Sequence, residues 1–138
     1  MKRITLLLLV ALTCLAASAG SFGKIVKALN DPKGKHVIVA AHRGDWRNAP
    51  ENSLPAIQHC IDMGVDMVEI DLQKTKDGHL VLMHDFDVNR TSNGQGRGCD
   101  HNLKEIKKQR LKNGLGRVTP VQIPPLEEVF KVGHGKIL

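Results

Sequence analysis

Six ionisable side chains stand in three short segments, and each segment ends or interrupts a run of apolar residues. They are His42 and Arg43, then Glu69 and Asp71, and finally His84 and Asp85. Cleavage of a phosphodiester needs a base for the attacking oxygen and an acid for the leaving alkoxide, and histidine suits both roles near neutral pH. An arginine offers a planar fork of donors for phosphate oxygens. The set therefore predicts a site that hydrolyses a phosphate ester.

The two carboxylates predict a metal site. Glu69 and Asp71 are two positions apart, so on a strand both would point to the same face. Neighbouring carboxylates repel each other unless a cation lies between them, and oxygen ligands select Mg²⁺ or Ca²⁺ over zinc. The alternative is a pair of exposed acids on an edge strand. It is disfavoured by the apolar residues around them, which are Met67, Val68, Ile70 and Leu72.

The two histidines also have a simpler interpretation. A single histidine at the end of a strand is more often structural than catalytic. Here His42 and His84 each end an apolar run, and each is followed by a charged residue, Arg43 or Asp85. Their joint occurrence with a carboxylate pair favours a general acid and base over two structural side chains.

Composition limits the class of protein and its partners. The chain has 138 residues, of which 41% are hydrophobic and 25% charged, as in a single soluble globular domain. A net charge of +6 is modest, and an aromatic content of 3% leaves little on which nucleic-acid bases could stack. We therefore predict no nucleic-acid partner, and we interpret the basic stretch 104–112 as a solvated helix face.

Residues 1–19 predict a secretory signal peptide. A basic start is followed by an apolar run of about a dozen residues and by the small-residue cleavage site Ala17-Ser18-Ala19. The run is too short to span a bilayer comfortably, which disfavours a retained membrane anchor. We expect export to the periplasm or the medium, with no stable membrane anchor after cleavage. Residues 20–35 then form a lead-in segment with a short helix at 25–29.

The next segments predict a β-α-β unit. The apolar run 36–41 lies between turn residues and predicts a strand buried on both faces, as in a parallel sheet. A helix is expected to begin at Asn52 or Ser53 and to stop at Gly64. A second strand at 67–72 follows, which favours parallel strands with a right-handed crossover.

An antiparallel hairpin is expected to come next. Lys76-Asp77-Gly78 is a tight-turn sequence, and the connection to the following apolar run is too short for a parallel return. Pairing Thr75 with Leu80 would place Asp71 opposite His84 and return this histidine to the carboxylates. Beyond the hairpin the sequence predicts a helix at 102–111, a loop at 113–119 and a helix that starts at Pro124. The last residues, 136–138, look like the start of another strand.

Two cysteines remain after the predicted cleavage, Cys60 and Cys99. In an exported protein they could form a disulfide. Cys60 falls on the apolar side of the first predicted helix, which favours a buried free thiol.

Several of these segments together resemble the glycerophosphodiester phosphodiesterase family. The order and spacing agree over about residues 36–131, nearly all of the predicted mature chain. The matching segments are His42-Arg43-Gly44, Pro50-Glu51-Asn52-Ser53, Glu69-Ile70-Asp71-Leu72, Thr75-Lys76-Asp77-Gly78, Val81-Leu82-Met83-His84-Asp85, Arg90-Thr91 and Ile123-Pro124-Pro125-Leu126-Glu127-Glu128.

The resemblance implies a fold, a reaction and a role for each candidate residue. The fold is an α/β TIM barrel with its active site at the carboxyl ends of the strands. The reaction is hydrolysis of small glycerophosphodiesters, such as glycerophosphocholine, to sn-glycerol 3-phosphate and an alcohol. His42 and His84 would be the general acid and base, and Arg43 would bind the phosphate. Glu69 and Asp71 would bind a divalent metal, Ca²⁺ or Mg²⁺.

The sequence departs from the family in length. A TIM barrel has roughly 250 residues, so 36–138 would form only the N-terminal part of the domain, with a third metal carboxylate expected beyond Leu138. Residues 20–138 alone are therefore expected to be unstable and inactive. Two alternatives stay open: a related barrel phospholipase acting on intact lipid, and an inactive truncated remnant. The Glu-x-Asp and Pro-Glu-Asn sequences favour the phosphodiesterase over the phospholipase.

Overall fold

The computed structural model describes residues 22–133. The elements in chain order are α1 (22–29), β1 (Ala40–His42), α2 (Leu54–Asp62), β2 (Met67–Glu69), β3 (Leu72–Lys74), β4 (Leu80–Leu82), a 3₁₀ helix (Gly98–Asp100), α3 (Leu103–Ile106), β5 (Arg110–Lys112), β6 (Val118–Gln122) and α4 (Leu126–Val132). The short helix predicted at 25–29 is confirmed within α1. The predicted signal peptide and the strand start at 136–138 lie outside the described residues. Between residues 22 and 133, every helix is too short or too polar to span a bilayer.

The predicted β-α-β unit is confirmed. Strands β1 and β2 are parallel, with Ala40 opposite Met67 and His42 opposite Glu69. Helix α2 begins where its sequence predicts, because Ser53 Oγ accepts a hydrogen bond from the backbone amide three residues later, at 3.3 Å. Since the strands are parallel, their carboxyl ends lie at the same edge of the sheet.

The first strand is shorter and more exposed than predicted. Only Ala40–His42 pair as a strand, and Val37 and Val39 are 78% and 51% exposed. Among residues 22–133, β1 has a single hydrogen-bonded neighbour, β2. The prediction of a strand at 36–41 buried on both faces is therefore wrong for this structure. An apolar run shows that a strand could be buried. It does not show how many neighbouring strands or helices pack against that strand.

The strand predicted at 67–72 is interrupted between the two carboxylates. β2 ends at Glu69, and β3 starts at Leu72 and pairs with β4 instead of β1. At the break, the amide of Asp71 donates to Asn52 Oδ1 at 3.1 Å, so a side chain takes the place of a strand partner. Glu69 and Asp71 therefore do not lie on one continuous strand.

The predicted antiparallel hairpin, formed by β3 and β4, is confirmed, but its register differs by one residue. The amide of Met83 donates to the carbonyl of Asp71 at 3.0 Å, so Asp71 lies opposite Met83 and not opposite His84. The cause is the turn. The amide of Thr75 donates to His79 O at 2.8 Å, which closes the turn one residue earlier than predicted.

The segment after the 3₁₀ helix differs most from its prediction. Helix α3 has about one turn, and β5 and β6 form an antiparallel hairpin where a helix at 102–111 and a loop at 113–119 were expected. The basic stretch is therefore not one solvated helix face, and Lys107 Nζ lies 2.7 Å from Glu128 Oε1 on α4. Helix α4 confirms the helix predicted after Pro124.

The core consists of two apolar clusters that meet at β4. Val81 belongs to one cluster and Leu82 to the other, as the alternation along a strand requires. The second cluster joins α2 and α4 to β2 through Ile57, Cys60, Val68, Leu82 and Val129. Cys60 is buried and Cys99 exposed, and both are free thiols, so the favoured interpretation of the cysteines is confirmed. Burial raises the pKa of the Cys60 thiol.

Candidate active site

The carboxyl ends of β1 and β2 bring three of the predicted site residues together. His42 is the last residue of β1 and lies opposite Glu69, the last residue of β2. The amide of Arg43 donates to the backbone carbonyl of Glu69 at 3.0 Å and to its side-chain Oε2 at 3.1 Å. His42 Nε2 lies 4.0 Å from the same Oε2. Glu69 Oε2 therefore lies close both to the ring of His42 and to the backbone amide of Arg43, the first residue after β1.

The turn after β1 is held in an uncommon backbone conformation. Arg43 and Asn52 have φ angles of 58° and 55°, a region that side chains other than glycine rarely adopt. The two residues hold each other, because the amide of Asn52 donates to the carbonyl of Arg43 at 3.0 Å. Such conformations persist where surrounding contacts fix them, and they cluster at functional sites.

Asn52 is a residue of the candidate site to which the sequence gave no role there, although it was a possible helix cap and lies in a segment of the family resemblance. Its side chain is almost fully buried, and its Nδ2 donates to Asp71 Oδ2 at 2.8 Å while its Oδ1 accepts from the Asp71 amide at 3.1 Å. Both ends of the amide group are therefore used to fix one carboxylate. Asn52 positions Asp71 beside Arg43, although β2 has already ended.

The Arg43 side chain lies between two carboxylates and keeps one donor group free. Its Nη1 donates to Glu51 Oε1 at 3.0 Å. Its Nε is 3.2 Å from Asp71 Oδ2 but makes no hydrogen bond, so this contact is a close ion pair with a poorly directed N–H. Among residues 22–133, Nη2 has no hydrogen-bond acceptor and is not buried, which leaves it available to an anion from solvent.

His84 follows β4 and is held through its neighbour. Its Nδ1 lies 2.7 Å from Asp85 Oδ1, and Asp85 also accepts two hydrogen bonds from Arg90, at 2.6 and 3.0 Å. These contacts, with Arg90 first and His84 second, hold the pKa of Asp85 well below its usual range. Glu51 is also bonded to Arg90, which lowers the pKa of its carboxyl. The sequence placed Asp85 among the candidate groups without giving it a role, and it did not predict Arg90 and Glu51 as site residues, although all three lie in the segments that carry the family resemblance.

Comparison with known proteins identifies the family. A model of the glycerophosphoryl diester phosphodiesterase family matches residues 42–137. The chain belongs to this family. A glycerophosphodiester phosphodiesterase of Caldanaerobacter subterraneus is 46% identical over 96 residues, which are 69% of this chain and 40% of that protein. The chain thus spans less than half the length of this relative.

Solved structures of the family have the same fold. The glycerophosphoryl diester phosphodiesterase of Parabacteroides distasonis superposes with a TM-score of 0.75 at 31% identity, covering 85% of this chain and 41% of that protein. An Oleispira antarctica phosphodiesterase, solved with the product sn-glycerol-3-phosphate, gives a TM-score of 0.62 at 31% identity, covering 70% and 41%. The predicted fold class is confirmed: the described residues form part of the α/β TIM barrel of this phosphodiesterase family.

The ion pairs of Asp85 predict an acid-sensitive stability. Because the pKa of Asp85 is lower in the folded chain than in the unfolded chain, its contribution is present above about pH 4 and is lost as the pH falls further. We expect the free energy of unfolding to decrease below about pH 4, and to decrease less steeply in an Asp85→Asn variant. Urea unfolding at a series of pH values measures both slopes.

Asp87, an exposed carboxylate two residues after Asp85, provides the control for the urea experiment. Asp87 makes no side-chain hydrogen bond or ion pair among the described residues. Asp87→Asn should therefore leave the acid dependence as in the unmodified chain. Equal slopes for Asp85→Asn and Asp87→Asn would contradict the assigned role of the Asp85 contacts.

Proposed function

We propose that this chain is part of a metal-dependent phosphoric diester hydrolase. It hydrolyses small glycerophosphodiesters to sn-glycerol 3-phosphate and an alcohol. The observation that carries the proposal is the convergence of His42, Arg43, Glu69 and Asp71 at the carboxyl ends of β1 and β2. Active sites of TIM barrels lie at this end of the strands. The glycerol phosphate bound to the Oleispira antarctica relative supports the same substrate class.

The histidines are assigned the proton transfers. His84 has Nδ1 directed at Asp85, so Nε2 is the atom left to exchange a proton with the substrate. His42 lies next to Glu69, with its Nε2 4.0 Å from Glu69 Oε2. One imidazole accepts the proton of the attacking oxygen, and the other, as imidazolium, donates a proton to the leaving alkoxide. The free Nη2 of Arg43 binds a phosphate oxygen.

Glu69 and Asp71 are assigned to a divalent cation, Ca²⁺ or Mg²⁺. In each carboxylate one oxygen, Glu69 Oε1 or Asp71 Oδ1, accepts no hydrogen bond from residues 22–133 and is available as a ligand. Hard cations of this kind prefer oxygen ligands. Within the same residues, no group of three or more histidine, cysteine or acidic side chains is arranged to hold a metal. When bound, the cation would stabilise negative charge on the phosphate oxygens.

The assay is release of glycerol 3-phosphate from glycerophosphocholine with about 1 mM Ca²⁺ or Mg²⁺. For the full-length enzyme, we expect turnover that is lost on chelation with EDTA and restored by added metal, and we expect Glu69→Gln to require more metal for the same rate. The His84→Ala variant of that enzyme is the blank. Turnover that EDTA does not change would contradict the metal assignment, and a full-length enzyme with no turnover above the blank would contradict the proposed reaction.

A barrel phospholipase acting on intact lipid is the second candidate function. Such an enzyme releases a cyclic phosphate, whereas the product in the Oleispira antarctica relative is the open glycerol monoester. This difference favours the first proposal. Phosphorus NMR of the products from glycerophosphocholine and from a lysophospholipid distinguishes a cyclic phosphate from a monoester.

We also propose that the chain is exported to the periplasm or the medium. The basic start, apolar run and cleavage sequence of residues 1–19 support it. The mature protein should then begin at Gly20. N-terminal sequencing of the protein from the cell exterior tests this, and an intact Met1 on protein confined to the cytoplasm would contradict it.

A further inference from the structure

The guanidinium of Arg90 connects two carboxylates that are far apart in the sequence. It donates to Glu51 through Nη1 and Nη2, both at 2.9 Å, across a separation of 39 residues. It also donates to Asp85 through Nε at 2.6 Å and through Nη2 at 3.0 Å. Both contacts are paired hydrogen bonds of the kind that fix the orientation of an arginine and its carboxylates.

Each of these carboxylates holds a residue of the proposed active site. Glu51 Oε1, which accepts from Arg90, also accepts from Arg43 Nη1 at 3.0 Å. Asp85 Oδ1 lies 2.7 Å from His84 Nδ1. The result is one continuous series of charge-assisted contacts from Arg43 through Glu51, Arg90 and Asp85 to His84.

We propose that Arg90 and Glu51 are positioning residues that hold Arg43 and His84 as one unit, fixing the orientation of the phosphate-binding guanidinium and the tautomer of the imidazole. The proposal rests on the function assigned above. The proposal concerns the position of Arg43 relative to His84, which strand pairing does not fix. β1 delivers Arg43, and β4 precedes His84, but these two strands belong to different sheets among the described residues.

The chemistry of the arginine explains why a lysine could not replace it. A guanidinium presents five donors in a rigid planar fork, so it can satisfy two carboxylates at once in fixed geometry. An ammonium is a compact point charge on a flexible chain and would favour one carboxylate over the other. If Asp85 lost its bonds to Arg90, it would no longer be held against Nδ1 of His84. The neutral imidazole would then carry its proton on Nε2 part of the time, and Nε2 could not accept a proton from the substrate.

The solvent exposure of Arg90, Glu51 and Asp85 indicates that their contacts orient side chains more than they stabilise the fold. The side chain of Arg90 is 50% exposed, while those of Glu51 and Asp85 are 20% and 29% exposed. Ion pairs with this much solvent contact make only a modest contribution to overall stability, of the size that the acid dependence of Asp85 measures. Substitution of Arg90 should therefore change the state of His84 much more than it changes the folding of the chain.

The test is nitrogen NMR of the full chain labelled with ¹⁵N-histidine, at a pH where His84 is neutral. The His84 signals are assigned by their loss in His84→Gln. In the unmodified chain we expect the Nδ1–H tautomer to predominate. In Arg90→Lys and in Glu51→Gln we expect the ratio of Nδ1–H to Nε2–H to fall by about two- to tenfold, which corresponds to the net contribution of one hydrogen bond.

Arg117→Lys and Glu127→Gln are the matched controls, since both residues are exposed and lie outside the network. They should leave the His84 signals unchanged. Glu51→Gln is the decisive variant, because no hydrogen bond joins Glu51 to His84 directly. An unchanged His84 ratio in Glu51→Gln would overturn the proposal, and Glu51→Gln still provides this reading if Arg90→Lys does not fold. The NMR result does not depend on turnover, so an inactive full-length enzyme would count against the proposed function and not against this network.

Discussion

In the full-length enzyme, His42→Ala and His84→Ala are each expected to lower turnover on glycerophosphocholine by about 10²–10⁴-fold, the usual contribution of a general acid or base. Each substitution would remove one of the two proposed proton-transfer groups and leave Arg43, the proposed phosphate donor, in place. The metal affinity should change little, because the assigned cation ligands are carboxylates. Steady-state kinetics gives the first quantity, and titration of Ca²⁺ against activity or against a spectroscopic signal gives the second.

His79→Ala is the control for both histidine variants. His79 is an exposed histidine in the turn of the β3–β4 hairpin, where its backbone and not its ring makes the turn. This variant of the full-length enzyme should retain the activity of the unmodified enzyme. If His42→Ala or His84→Ala also retains that activity, the histidine concerned is structural, which is the simpler interpretation weighed above.

The ends of helix α2 and the carboxyl end of strand β1 were predictable from the sequence, because residues close to each end determine them. Ser53 caps α2 because a hydroxyl after Pro-Glu-Asn can accept from the first turn. Gly64 ends the helix because its φ of +76° is open to glycine. The polar residues that interrupt the apolar runs marked the strand ends, and parallel pairing then brought His42 and Glu69 together.

The pairing of strands was less predictable, because it depends on contacts between distant segments. The register of β3 and β4 differed by one residue, since the side chain of Thr75 bonds to Asp77 at 2.7 Å within the turn. The β5–β6 hairpin was missed because basic residues mixed with a few apolar ones fit a short helix as well as a strand. Only the partner strand decides between these two structures.

The sequence singled out the residues of the candidate site, but it did not indicate the hydrogen bonds that join them to other residues. The identity of His42, Arg43 and His84 suggested their roles. The bond between Arg90 and Glu51 spans 39 residues, and no local pattern indicates that an arginine after the second histidine will reach the start of α2. Polar networks of this kind depend on the tertiary fold, which is why the family resemblance marked these residues without explaining them.

Gly44→Ala is expected to destabilise the fold by about 2–5 kcal/mol, as the sum of two costs. Gly44 has a φ of +77°, which costs an ordinary residue roughly 1–2 kcal/mol. An added Cβ would also lie 2.9 Å from the Cβ of Ala56 and 3.0 Å from its backbone carbon, and Ala56 is fully buried. Relief of such overpacking requires backbone movement and costs about 1–3 kcal/mol.

Gly64→Ala separates the two costs. Gly64 has nearly the same φ, +76°, but an added Cβ there would meet no atom within 4 Å. It should therefore lose only the roughly 1–2 kcal/mol of the backbone conformation, and urea unfolding of both variants gives the contact cost as the difference. Because Gly44 follows Arg43 directly, movement of this turn away from α2 would also separate Arg43 from Glu51. Equal losses in the two variants would show that the turn can move away from Ala56 without strain. The close approach of Gly44 to α2 would then not fix the position of Arg43.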